Sequence, residues 1–275
     1  MGIKCFKLIF KVFIAALFLF ILIGPLSSVV LWSIAIKWYW PHVLPQEIGL
    51  AYWKQALGLQ RDWAIAAVSI WDAFKASMIV AVVATIVTMA LAIPAAYALA
   101  RFHLPFKALF LLLFLMPKVF PQQPIFVNLL PVFTRWGLAG TLPGVMLIHI
   151  LVCLLFGTWI STSAFKAIPE SLEEAARSVG ATKWQAFWRI LMPLAAPGLL
   201  VSTVFVFVTS LTEFTGTFFL GLPFVTTLPM LLYSASGYNM QFASVLALVL
   251  LVPSLLFMIM TERIFRPEYL GSVGR

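Results

Sequence analysis

The chain has 275 residues, of which 63% are hydrophobic and 10% charged, against about a quarter charged in an ordinary soluble domain, and this excludes a fold surrounded by water. Its formal charge of +9 lies in short clusters between apolar runs, where basic residues orient helices across a bilayer and do not build a nucleic-acid face. Cys5 and Cys153 offer neither a disulfide framework nor a metal-ligand spacing, so no metal or cofactor is expected. Because the apolar runs are continuous instead of alternating, the expected class is all-α: one polytopic membrane domain over 1–275 with six transmembrane helices.

Lys4, Lys7 and Lys11 precede an uncharged stretch over 12–36, too long for a secretory h-region and without a small-residue cleavage pattern, which reads as a retained first span. From Lys37 to Lys75 the chain is polar and aromatic, with Trp38, Tyr39, Trp40, Tyr52, Trp53, Trp63 and Trp71 suited to the outer water-membrane boundary. A second span is expected over 76–100, closed by Arg101, His103 and Lys107. A third over 108–130 is interrupted by Pro117, Lys118, Pro121, Gln122, Gln123 and Pro124, so it should be broken or line a cavity. Gly137 and Gly140 turn the chain into a fourth span over 143–164; the fifth and sixth fall over 194–214 and 241–261. The segments thereby placed inside hold Lys4, Lys7, Lys11, Arg101, Lys107, Lys166, Arg177, Lys183, Arg189, Arg263, Arg266 and Arg275, twelve of the eighteen basic residues, which puts both termini in the cytoplasm.

The inner segment from Ala167 to Pro197 reads as two capped helices. Ser171 with Glu174, and Thr182 with Gln185, have capping-box spacing. Leu172, Ala175, Ala176 and Val179 fall at i, i+3, i+4 and i+7 on one face, with Glu173, Glu174 and Arg177 off it. Glu170, Glu173 and Glu174 favour the positive end of the helix dipole, and Gly180 permits a left-handed stop. An acidic first turn suits anionic lipid headgroups poorly, whereas an alanine-rich face can sit in a groove on another protein.

Glu174, Ala175, Ala176, Gly180, Ile190 and Pro193 fit the pattern E-A-A-x3-G-x9-I-x-L-P, with Met192 where leucine is usual. On these residues the chain resembles the inner-membrane permease subunits of binding-protein-dependent ABC importers, from about the second span to the sixth. The resemblance implies that 167–193 carries a coupling helix docking on a cytoplasmic ATPase dimer, with the contact on Glu174 through Gly180. It further implies a second permease subunit, an extracytoplasmic solute-binding protein and a multi-pass place in the inner (plasma) membrane, in contact with lipid. Within that family Arg177, Ser178, Val179, Gly180 and Ala181 look like the polyamine, ferric iron, thiamine and phosphonate importers. Sugar importers more often carry an aspartate directly before the glycine, where Val179 stands, so sugar import is the alternative.

No G-x-x-x-x-G-K-S/T phosphate loop occurs, so ATP hydrolysis falls to a partner and the chain is expected to have no catalysis of its own. Glu213 is the acid within a proposed span and Lys118 the base well inside one. Both become candidates for the solute path, with Thr212 beside Glu213; the competing reading pairs the two charges with each other. An ion-coupled secondary transporter ranks lower, because no second broken span matches the third.

Overall fold

A computed structural model of the protein describes residues 2–59, 69–102, 105–106, 109, 112–113 and 120–264. Helix dominates, as expected for backbone that must satisfy its own hydrogen bonds in lipid. Among the described residues five helices are long and apolar enough to cross a membrane: Phe10–Ile34, Ile70–Arg101, Leu142–Lys166, Lys183–Leu211 and Met240–Thr261. The third expected span is described only in part. Lys118 and most of 108–120 lie outside the described residues, and the part that is described, α4 (Gln122–Arg135), has 14 residues. That is about 21 Å of helix, short of a bilayer core of roughly 30 Å.

The chain forms two units, Met1–Ile70 with Leu231–Leu251, and Trp71–Met230 with Val252–Arg275. In the first, α1 (Gly2–Ile34) leads into an antiparallel hairpin of β1 (Ala35–Lys37) and β2 (Glu47–Ile48), followed by α2 (Ala51–Ala56). The hairpin is an exception to the all-α expectation, and its strands are too short to show an alternating pattern in the sequence. Lys37 Nζ meets Glu47 Oε2 at 2.6 Å across it, and Trp38 stacks on Trp32 with ring centroids 4.4 Å apart.

In the second unit, α3 (Ile70–Arg101) buries Ala73, Ser77, Val80, Ala81, Ala84, Thr88, Ala92 and Ala96, a stripe of mostly small side chains at helical spacing. Small residues let membrane helices approach closely, since lipid supplies no hydrophobic force between them. α5 (Leu142–Lys166) and α8 (Met192–Leu211) use the same device: a Cβ added at Gly198 would lie 2.5 Å from the Ala164 Cβ. Hydroxyls add polar links, with Ser161 Oγ donating to Ser202 Oγ and Ser202 Oγ to the Gly157 carbonyl, each at 3.1 Å.

Between α5 and α8 lie α6 (Ser171–Ser178), α7 (Lys183–Ala186) and a π-helical turn, Phe187–Leu191. α7, the turn and α8 form one continuous rod, so the fifth span begins at Lys183, well before the expected residue 194. Pro193 has no N–H to return to the Arg189 carbonyl, and the wider π turn removes the clash its ring would make there. The rod stops at Leu211, and after a break α9 (Thr215–Gly221) begins. α10 (Leu228–Ser236) and α11 (Met240–Ile264) are the last elements among the described residues.

Candidate functional site

α6 is wound differently from its sequence signals. Glu170 already has helical angles (φ −63°, ψ −28°), and the N–H groups of Glu173 and Glu174 both bond the Glu170 carbonyl. Ser171 therefore sits inside the first turn, where it cannot take the extended conformation a capping residue needs, and the expected Ser171–Glu174 box does not form. The second box does. Thr182 Oγ1 accepts from the Gln185 N–H at 3.2 Å, and Gln185 Oε1 accepts from the Thr182 N–H at 2.9 Å. Gly180 turns the chain between the two helices at φ +95°, a region that favours glycine.

The side that α6 turns toward the fold is not its apolar one. Ala176 is buried, but Leu172 is 43% and Val179 87% exposed, and Ala175 is exposed with them. The side facing the fold carries Glu173. Its Oε1 accepts from Arg101 Nε at 2.5 Å, and its Oε2 accepts from the Tyr97 hydroxyl at 3.4 Å. Arg101 Nη2 donates to the Ile168 carbonyl at 2.9 Å, and Nη1 lies 3.9 Å from Glu170 Oε1. With side-chain exposures of 8% for Arg101 and 14% for Glu173, the pair is largely desolvated. Removing one member would strand the other charge, at a cost of about 3–5 kcal/mol.

Tyr97 and Arg101 lie one helical turn apart on α3. They line a cleft of about 710 Å³ with Ile93, Glu174, Arg177, Lys183, Trp184 and Phe187 among its walls. Of the residues in the sequence motif, Glu174 reaches this cleft, while Gly180, Ile190 and Pro193 do not line it. Ile190 is half-buried in the π turn and Pro193 sits in the first turn of α8. Sequence reasoning gave Arg101 only the task of closing a span. The available signal was Tyr97 at i−4, which places a hydroxyl and a guanidinium on one face of the same helix end.

The path candidates are placed less as expected. The fifth span ends before Glu213, which lies 7% exposed in the break with Oε1 accepting from the Gly216 N–H at 3.0 Å. The Thr212 hydroxyl bonds its own helix at the Val208 carbonyl, 2.8 Å away. Lys118 lies outside the described residues. The hydroxyls flanking Glu213 in sequence help tie three helices: His149 on α5 has Nδ1 at 2.9 Å from Ser210 Oγ and Nε2 at 2.8 Å from Thr217 Oγ1.

A family model described as a binding-protein-dependent transport system inner membrane component matches residues 89–266, well over half of the chain. The chain is 34% identical over 141 residues to the trehalose transport system permease protein SugB of Mycobacterium tuberculosis, a match covering 50% of this chain and 52% of that one. It is 32% identical over 185 residues to the maltose/maltodextrin transport system permease protein MalG of Escherichia coli, covering 62% and 61%. The chain thus spans about half the length of the first relative and three fifths of the second. Among solved structures, a bacterial ABC transporter involved in the import of the acidic polysaccharide alginate has the same fold, with a TM-score of 0.69 at 20% identity over 96% of this chain and 97% of that one. The names of the two relatives are sugar names, against the expected grouping with polyamine, iron, thiamine and phosphonate importers. The five residues that suggested that grouping lie on and just after α6, where Val179 projects away from the fold, so they had no chemical reason to report a solute.

Proposed function

Since the chain belongs to the family of binding-protein-dependent transport system inner membrane components, we propose that it is the membrane-spanning permease subunit of an ATP-driven importer for a sugar. The observation that carries the solute class is the likeness to the trehalose and maltose/maltodextrin permeases. The coupling role rests on α6, whose Leu172, Ala175 and Val179 side is exposed while Glu173 and Ala176 face the fold. A short helix offering an apolar face to water fits a groove on a partner. In this reading the partner is a cytoplasmic ATPase dimer that hydrolyses ATP, and Glu174, Ala175 and Gly180 lie in the contact segment that Ala176 anchors to the fold, with Ile190 and Pro193 setting the rod behind it. A second permease subunit completes the path, an extracytoplasmic binding protein delivers solute, and both termini face the cytoplasm.

The test is uptake by the transporter reconstituted in vesicles with its ATPase and binding protein. ATP-dependent accumulation of labelled trehalose or maltose, uninhibited by excess spermidine, is the expected result. Accumulation of spermidine or ferric iron with no disaccharide uptake would reject the sugar reading and leave the family assignment standing.

A further inference from the structure

We propose that Tyr97 and Arg101 are positioning residues through which movement of α6 enters the second span; this rests on the reading that α6 docks on an ATPase. α6 has eight residues and buries Ala176, with its apolar side exposed. Packing through one alanine methyl is non-directional and lets a short helix slide. The hold on Glu173 is directional, because charge-assisted hydrogen bonds require a fixed geometry. One guanidinium reaches Glu173, Glu170 and the Ile168 carbonyl, and so fixes both the first turn of α6 and the chain that enters it. Tyr97 holds the other oxygen of the same carboxylate. The Tyr97 ring also packs edge-on against Phe165, at the end of α5, and Phe187, in the π turn, with centroids 5.9 Å and 4.9 Å away. A displacement of α6 is therefore delivered through one carboxylate to α3 and, by way of Tyr97, to the adjoining ends of the fourth and fifth spans.

The experiment measures solute moved per ATP hydrolysed in the reconstituted complex for wild type, Arg101→Gln, Glu173→Gln, Arg101→Lys and the exchange Arg101→Glu with Glu173→Arg. In the same membranes, Val179→Cys reports cross-linking to the ATPase. The glutamine variants, each leaving one charge unpaired, are expected to insert in smaller amount, but per inserted complex to keep the cross-link and the ATPase rate while the ratio falls about tenfold, in the range of one coupling contact. Arg101→Lys or the exchange is expected to recover part of it. A wild-type ratio in the glutamine variants, a parallel fall of ratio, ATPase rate and cross-link per inserted complex, or no recovery in either rescue overturns the proposal. Should the glutamine variants fail to insert, Arg101→Lys decides: it keeps the charge but loses the planar fork, so a reduced ratio supports the proposal and a wild-type ratio overturns it. Absence of the cross-link in the otherwise wild-type protein rejects the docking of α6 and the proposal with it, whereas a retained cross-link with an unchanged ratio rejects the positioning role alone.

Discussion

His149 is 2% exposed, with both ring nitrogens facing hydroxyls, Ser210 on α8 and Thr217 on α9. A neutral imidazole suits this place, since one nitrogen donates and the other accepts. Leucine would remove both bonds and leave two buried hydroxyls without them. Side-chain bonds in membrane proteins average about 0.6 kcal/mol and reach about 1.7, so His149→Leu is expected to lower stability by about 1–3 kcal/mol, read as a lower thermal midpoint in detergent; an unchanged midpoint would show that the three helices hold without it. Glu213, two residues after the end of α8, has its carboxylate turned to the Gly216 N–H. Glutamine can accept that bond through its amide oxygen and alanine cannot. Glu213→Gln is therefore expected to retain assembly and uptake, with Glu213→Ala losing about 1 kcal/mol of stability, as for a lost helix cap. A loss of uptake in Glu213→Gln at normal stability would favour the position on the solute path that the sequence suggested.

At the scale of the element, length and hydropathy made the spans legible, because each needs about twenty apolar residues and little else. Boundaries were less so. The π turn lets a polar stretch from Lys183 run without a break past Pro193 into the fifth span, and an apolar run alone does not mark the polar residues at the start of such a helix. Of two capping boxes with equal spacing, Thr182–Gln185 forms and Ser171–Glu174 does not, since Glu170 is helical and the helical winding begins a residue earlier. The Arg101–Glu173 pair was illegible for a different reason: its members are 72 residues apart, and only the packing of α3 beside α6 joins them. Two element-level predictions follow from backbone approach and turn geometry. Gly198→Val should overpack the α5–α8 contact, where even a Cβ meets Ala164 at 2.5 Å, and cost about 1–3 kcal/mol in thermal unfolding. Gly180→Ala has open space around it and φ +95°, so it should cost about 1 kcal/mol of local strain and leave the spans intact. Tryptic cleavage at Arg177 or Lys183 should rise in that variant while the thermal midpoint holds; equal cleavage would mean that the turn tolerates a side chain.

For the whole molecule, the class and family were readable from composition and one loop motif, and the solute was not. The loop touches a partner in the proposed function and carries no chemistry for a solute, which explains why residues 177–181 pointed to a different group of importers from the sugar permeases that longer stretches of the chain match. The proposed sidedness rests on charge: twelve of eighteen Lys and Arg residues fall in segments proposed to lie inside, and translocating basic residues near span ends is what the membrane disfavours. The structure adds suitable probe positions. Gln46 lies in the exposed hairpin loop before β2, Ser236 is exposed at the end of α10, and Ser178 is exposed at the end of α6. In a background lacking Cys5 and Cys153, cysteines introduced singly at Gln46 and Ser236 are expected to react with an impermeant thiol reagent added to intact cells. A cysteine introduced at Ser178 is expected to react only after the membrane is opened. Because Ser178 sits in the segment proposed to meet the ATPase, its labelling from outside would reject both the orientation and the coupling role, whereas protection of Gln46 alone would reject only the outward placement of the hairpin.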